Sequence, residues 1–244
     1  MYMLYEKKNA IAVFYYLIAV DGNVTESEME TFDCVGKELD PDFFEQYQSE
    51  IAERYRNQMQ TLIDVEDFYD VIAEGVDREL ANVLDEDAET EGICSRLLLW
   101  NLLVVAFGDD TYSPEERRLI KHIVRSQGIG KDIFLEMEQL MKANIAVTHE
   151  LEAMERSEKP YTEIRPIIEE LESRREVIIK SATALIEDEL YVPVNKVEIP
   201  KNKALEDTKA AVGKVADTVS PIASNIGNQT KKLLGNIRSK KSNV

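Results

Sequence analysis

The sequence predicts an all-α protein, a helical bundle carrying a helical extension, on three observations. Apolar residues recur at helical spacing through nearly all of the first 190 positions. Strand signals are almost absent: alternating β-branched and aromatic runs between tight turns do not occur, apart from the short stretch 191–199. One helix–turn–helix pattern also appears twice, 88 residues apart.

The periodicity places helices near 6–20, 25–39, 42–63, 65–85, 91–107, 113–127, 131–156 and 162–190, with weaker ones near 203–219 and 221–239. The longest apolar runs, 11–20 and 97–107, are about half the length of a bilayer span and read as core helices. Trp100 and the pair Tyr15-Tyr16 belong to that core. Lys7 and Lys8 precede the first run as charges precede a signal peptide. The run then enters Asp21-Gly22-Asn23 with no small-x-small cleavage site, so no secretion signal is expected. Cys34 and Cys94 lie in no CxxC pair and read as reduced thiols of a cytoplasmic protein.

The two copies of the repeated pattern are Asp21-Gly-Asn-Val-Thr-Glu-Ser-Glu28 and Asp109-Asp-Thr-Tyr-Ser-Pro-Glu-Glu116. Each follows an apolar helix and precedes an amphipathic one, in which Phe32 and Val35 match Ile120 and Ile123. Thr25 and Ser113 are expected helix N-caps, and Glu28 and Glu116, three residues on, complete two capping boxes. Pro114 suits the first helical position, where its missing N–H costs nothing. Val24 and Tyr112 stand where a hydrophobic staple would, and Gly22 and Gly108 can close the preceding helices in a left-handed conformation.

The first copy, with Ala19 and Val20 before it, resembles the turn "alanine, any, Asp-Gly-x-Val-Ser/Thr-x-x-Glu" of TerB-like (tellurite-resistance) proteins. It is also similar to a turn near the N-terminus of some DnaJ-like co-chaperones. The resemblance covers about residues 5–143; the second copy departs from it, with Asp110 in place of the glycine and Phe107-Gly108 as the lead-in. It implies an all-α bundle tied to tellurite resistance and general stress response, and a metal site built on Asp21, Glu28, Asp109 and Glu116. From the residues alone two readings stand. Asp21 and Asp109 lie near the C-terminal ends of apolar helices, where the helix dipole disfavours negative charge. A divalent cation with oxygen ligands would offset that, and so would an Asx turn. An EF-hand does not fit: its sixth and twelfth positions would be Glu26 and Phe32, or Pro114 and Ile120.

No catalytic constellation is present in the sequence. His122 and His149 have no Ser or Cys partner in a recognisable motif, and there is no Walker A, Rossmann or HExxH pattern. The chain reads as a non-enzymatic module, with a metal-dependent hydrolase as the weakest alternative because the acidic turns lack a base. The acidic run 85–91 reads as a solvated turn.

Four segments are expected: a bundle over 1–157, a long helix extension over 158–190, an extended linker over 191–203 and a weakly amphipathic basic tail over 204–244. In the long helix, capped by Thr162, Ile164, Ile168, Leu171, Ile178, Ala182 and Leu185 form one apolar stripe, for packing back on the body or for assembly as a scaffold or co-chaperone-like adaptor. Net charge is −18, unevenly spread. Residues 201–244 hold nine Lys/Arg against three Asp/Glu, and the other 200 hold 20 against 44. The acidic body excludes nucleic acid as a partner and favours cations or a basic protein partner. The tail suits either weak, membrane-peripheral contact with anionic lipid or docking on the chain's own carboxylates.

Overall fold

The chain opens with a short strand, β1 (Leu4–Glu6), which leads directly into the apolar helix α1 (Lys7–Ile18). This is a computed structural model, and it describes residues 3–60, 62, 64–84, 92–109 and 111–190. The expected linker, basic tail, helices beyond 200 and acidic run 85–91 lie outside the described residues. After α1 come α2 (Glu26–Leu39), α3 (Phe44–Met59), a 3-10 turn at Val65–Asp67 and α4 (Phe68–Leu80). Strand β2 (Gly92–Cys94) leads into α5 (Ser95–Ala106), then α6 (Pro114–Ser126), α7 (Lys131–Glu155) and α8 (Tyr161–Leu190). The fold is all-α, as expected, and eight helices lie within a few residues of their sequence-read positions.

The two strands were not legible. The helix expected from 91 starts at Ser95, because Gly92–Cys94 pair antiparallel with Leu4–Glu6, Tyr5 opposite Ile93. Three residues are too few to show an alternating pattern. This pairing completes the internal repeat. Strand, apolar helix and the start of the amphipathic helix recur at the same offset of 88: Leu4 and Gly92, Lys7 and Ser95, Glu26 and Pro114. Tyr5 and Ile93 are equivalent and face each other, so a local pseudo-two-fold axis passes between them. The helices obey it: α1 packs on α6 as its counterpart α5 packs on α2.

By contact the chain divides into two units, Met3–Glu138 and one whose described part is 139–190. In the first, α1 is the hub and touches α2, α3, α4, α5 and α6. Ile11, Val13, Phe14, Leu17, Leu98, Leu99 and Trp100 are fully or almost fully buried. A helix with neighbours on most sides needs no polar face, which is why 11–20 and, apart from the buried Asn101, 97–107 are apolar. Polar threads tie it together: the Tyr16 hydroxyl donates to Gln58 Oε1 at 2.6 Å, and Gln58 Nε2 donates to the Val71 carbonyl at 2.8 Å.

In the second unit α8 packs on the later part of α7 through Val147, Leu151 and Leu171, flanked by Met154, Ile168 and Ile178. The sequence-read boundary at 157 falls between α7 and α8, whereas the structural division falls inside α7, after Glu138. Thr162 is not the cap expected of it. The helix starts at Tyr161, and the carbonyl of Pro160 accepts from Glu163 N at 2.9 Å.

Candidate functional site: two paired acidic turns

Each turn is built by its own residues. In the first, Gly22 adopts φ +82°, a left-handed conformation that glycine takes without strain, and its N–H bonds to the Ala19 carbonyl at 3.1 Å. Asp21 Oδ1 accepts from Asn23 N at 2.8 Å, an Asx turn. Thr25 Oγ1 accepts from Glu28 N at 3.2 Å, and Glu28 Oε2 accepts from Thr25 N and Oγ1, both at 2.7 Å. The second turn repeats this. Asp109 Oδ1 accepts from Thr111 N at 2.8 Å, Ser113 Oγ from Glu116 N at 3.1 Å, and Glu116 Oε2 from Ser113 N at 2.8 Å. Both capping boxes are complete, with Pro114 in the first turn of its helix.

Two sequence expectations are corrected here. Gly108 is not left-handed; among the described residues, the glycines with positive φ are Gly22 and Gly128. Gly108 answers a close approach instead: a Cβ built there would lie 2.4 Å from Thr31 Cγ2 and 2.8 Å from Thr31 Cβ. The second turn therefore rests on α2, the helix that the first turn starts. The staples also differ from expectation. Val24 stays exposed, and Tyr112 packs its ring on Phe107, centroids 4.4 Å apart.

The pairing of the turns reaches their carboxylates. Glu116 is buried, at 4% exposure, and its pKa is pushed up to about 7. Burial is the main cause, opposed by the hydrogen bonds from Ser113 and reinforced by the charges of Asp109 and Glu28. Glu28, from the other turn, is thus close enough to act on Glu116. Asp21 is exposed and Asp109 half-buried.

The four carboxylates do not form a ready metal centre. Among the described residues, no group of three or more His, Cys, Asp or Glu side chains is placed to hold a metal ion. One oxygen of each carboxylate is engaged inside its own turn.

Sequence reasoning missed one feature beside the second turn. Glu138, in α7, is 3% exposed and takes a two-pronged pair from Arg117: Nε to Oε1 at 2.7 Å and Nη2 to Oε2 at 3.0 Å. Burial, followed by the Glu138 charge, raises the pKa of the neighbouring Tyr112 hydroxyl. Twenty-one residues separate the Arg and the Glu, so no local spacing announces them. His122 forms a partly exposed pair with Asp77, Nε2 to Oδ1 at 2.8 Å. Among the described residues, no helix is long and apolar enough to cross a membrane. None of the family models, curated proteins or solved structures compared with this chain matches it.

Proposed function

We propose that the chain is a non-enzymatic, TerB-like stress-response module whose paired acidic turns bind a basic protein partner. The observation that carries this reading is the close approach of Gly108, which leads into the second turn, to Thr31 of α2, the helix that the first turn starts, so that both acidic turns belong to one part of the fold. Burial of Glu28 and Glu116 in capping boxes makes the turns rigid, while Asp21 stays exposed for contact. The net charge of −24 over the first 200 residues would steer a basic partner towards them. The TerB-like resemblance supports a link to tellurite resistance.

A second reading, a divalent cation, is favoured by the charges of Asp109 and Glu28 that act on Glu116 beside the larger effect of burial, a repulsion that a cation would relieve. A helical adaptor assembling through α8 is a third, favoured by the exposed apolar side chains Tyr161, Ile167 and Val177 on that helix.

Calorimetric titration separates these readings. An oligolysine peptide should bind the full chain, and Asp21→Asn with Asp109→Asn should weaken it, on the order of tenfold at low salt. Magnesium or calcium binding lost in the same variant would favour the cation reading. No heat with either titrant would remove both and leave the adaptor.

A further inference from the structure

Helix α3 buries Phe44 and Ile51. Phe43 and Tyr47, four residues apart, share another face of it. Their rings stack, with centroids 6.1 Å apart and planes 22° from parallel. Tyr47 is half-buried, whereas Phe43 is 53% exposed. Among the described residues of the first unit, Phe43 is the one exposed aromatic side chain. An aromatic ring left at the surface contributes little to the fold, because most of the area it could withdraw from water stays wet.

The surroundings of the pair are ionic. Lys8 of α1 places its Nζ 5.2 Å from the centroid of the Tyr47 ring and also pairs with Glu50, one turn further along α3. The chain thus already makes one cation–π contact on this pair. Burial and the charge of Asp40 raise the pKa of the Tyr47 hydroxyl, with smaller parts from Glu6 and Glu50, and Lys8 opposes them. Asp42 and Glu45, both exposed, flank Phe43 in the chain.

We infer that the Phe43–Tyr47 pair is a docking platform for an arginine side chain of a basic protein segment. Charge alone draws a basic segment to many parts of this acidic body, and the exposed ring is what selects this one. A guanidinium is planar and weakly hydrated, so it lies flat on an aromatic face while its N–H groups reach carboxylates at the edge. A lysine ammonium is more strongly hydrated and has no plane to stack. Phe43 offers the face, and Asp42 and Glu45 stand beside it in the sequence as acceptors. The platform uses no residue of either acidic turn, so it stands whether or not the turns bind.

The test is calorimetric titration of the full chain at low salt with two blocked peptides of equal charge, tetra-arginine and tetralysine. Tetra-arginine should bind about two- to fivefold more tightly, the difference that a surface cation–π contact supplies. Phe43→Ala and Phe43→Leu should each abolish the preference, and Phe43→Tyr should keep it. The ring-proton NMR signals of Phe43 and Tyr47 should shift as tetra-arginine is added. Asp21→Asn with Asp109→Asn should leave the preference unchanged, which tests the platform apart from the turns. Equal affinity for the two peptides, or a preference that survives Phe43→Leu, would overturn the proposal. So would a concentration-dependent dimer, seen by sedimentation, that Phe43→Ala dissolves, because the pair would then be a contact between two copies.

Discussion

Thr25 and Ser113 each satisfy a backbone N–H at a helix start, so Thr25→Ala and Ser113→Ala should each cost about 0.5–2 kcal/mol, read by urea denaturation. Gly108→Ala tests a different force. Its new methyl group would meet Thr31 Cβ, which stands on the α2 backbone and cannot swing away. A loss of about 1–3 kcal/mol is expected, and Thr31→Ala made alongside should recover part of it. Glu116 gives a pH signature. Its folded pKa, about 7, lies above the ordinary carboxylate value, so the folded state holds the proton more tightly than the unfolded chain. Its contribution is fully present below about pH 4.5 and is lost as pH rises through about 7. Urea melts at pH 5 and pH 8 should show a smaller difference in Glu116→Gln than in the parent. Both capping partners and both glutamates were legible in the sequence, because a capping box is local. The Thr31 contact and the raised pKa were not, since both arise from residues far away in the chain.

At the scale of elements, Arg117 of α6 reaches the start of α7 twice, in its pair with the buried Glu138 and over the Phe134 ring. Arg117→Ala would take the two-pronged partner from the buried Glu138 and leave it to Tyr112 and water, a loss of about 1–3 kcal/mol read by urea denaturation. Arg117→Lys keeps the charge but not the fork, and should recover only part of the loss. The α7–α8 hairpin rests on a smaller core. Leu171→Ala should cost about 2–4 kcal/mol there. Hydrogen exchange should then quicken within 139–190, the unit to which this cluster belongs. Helices were legible because 3.6-residue periodicity is a property of consecutive residues. The strands were not: their pairing joins positions 88 apart, and nothing in Leu4-Tyr5-Glu6 by itself says that Gly92-Ile93-Cys94 lies beside it.

For the whole molecule, charge is the governing term. The first 200 residues carry −24, and like charges on one body oppose compaction. Moving from low to high salt should therefore raise the melting temperature, a trend read by circular dichroism. Divalent cation should add nothing beyond its ionic strength if the turns bind a basic partner, and should add a saturating increment if they bind metal.

The sequence by itself determined the helical class, the places of the helices, the repeat and the internal chemistry of each turn. Each of these depends on neighbours within about one helical turn, and such neighbours are visible in a string of letters. The tertiary structure alone decided that the equivalent strands meet at Tyr5 and Ile93, that Gly108 is a contact point and not a left-handed cap, and that Glu116 is buried with its pKa raised. Those outcomes depend on how α1 and α5, each largely apolar, settle against the amphipathic helices of both halves. A helix with no polar face carries no marker of which neighbour it will choose, and only packing makes that choice.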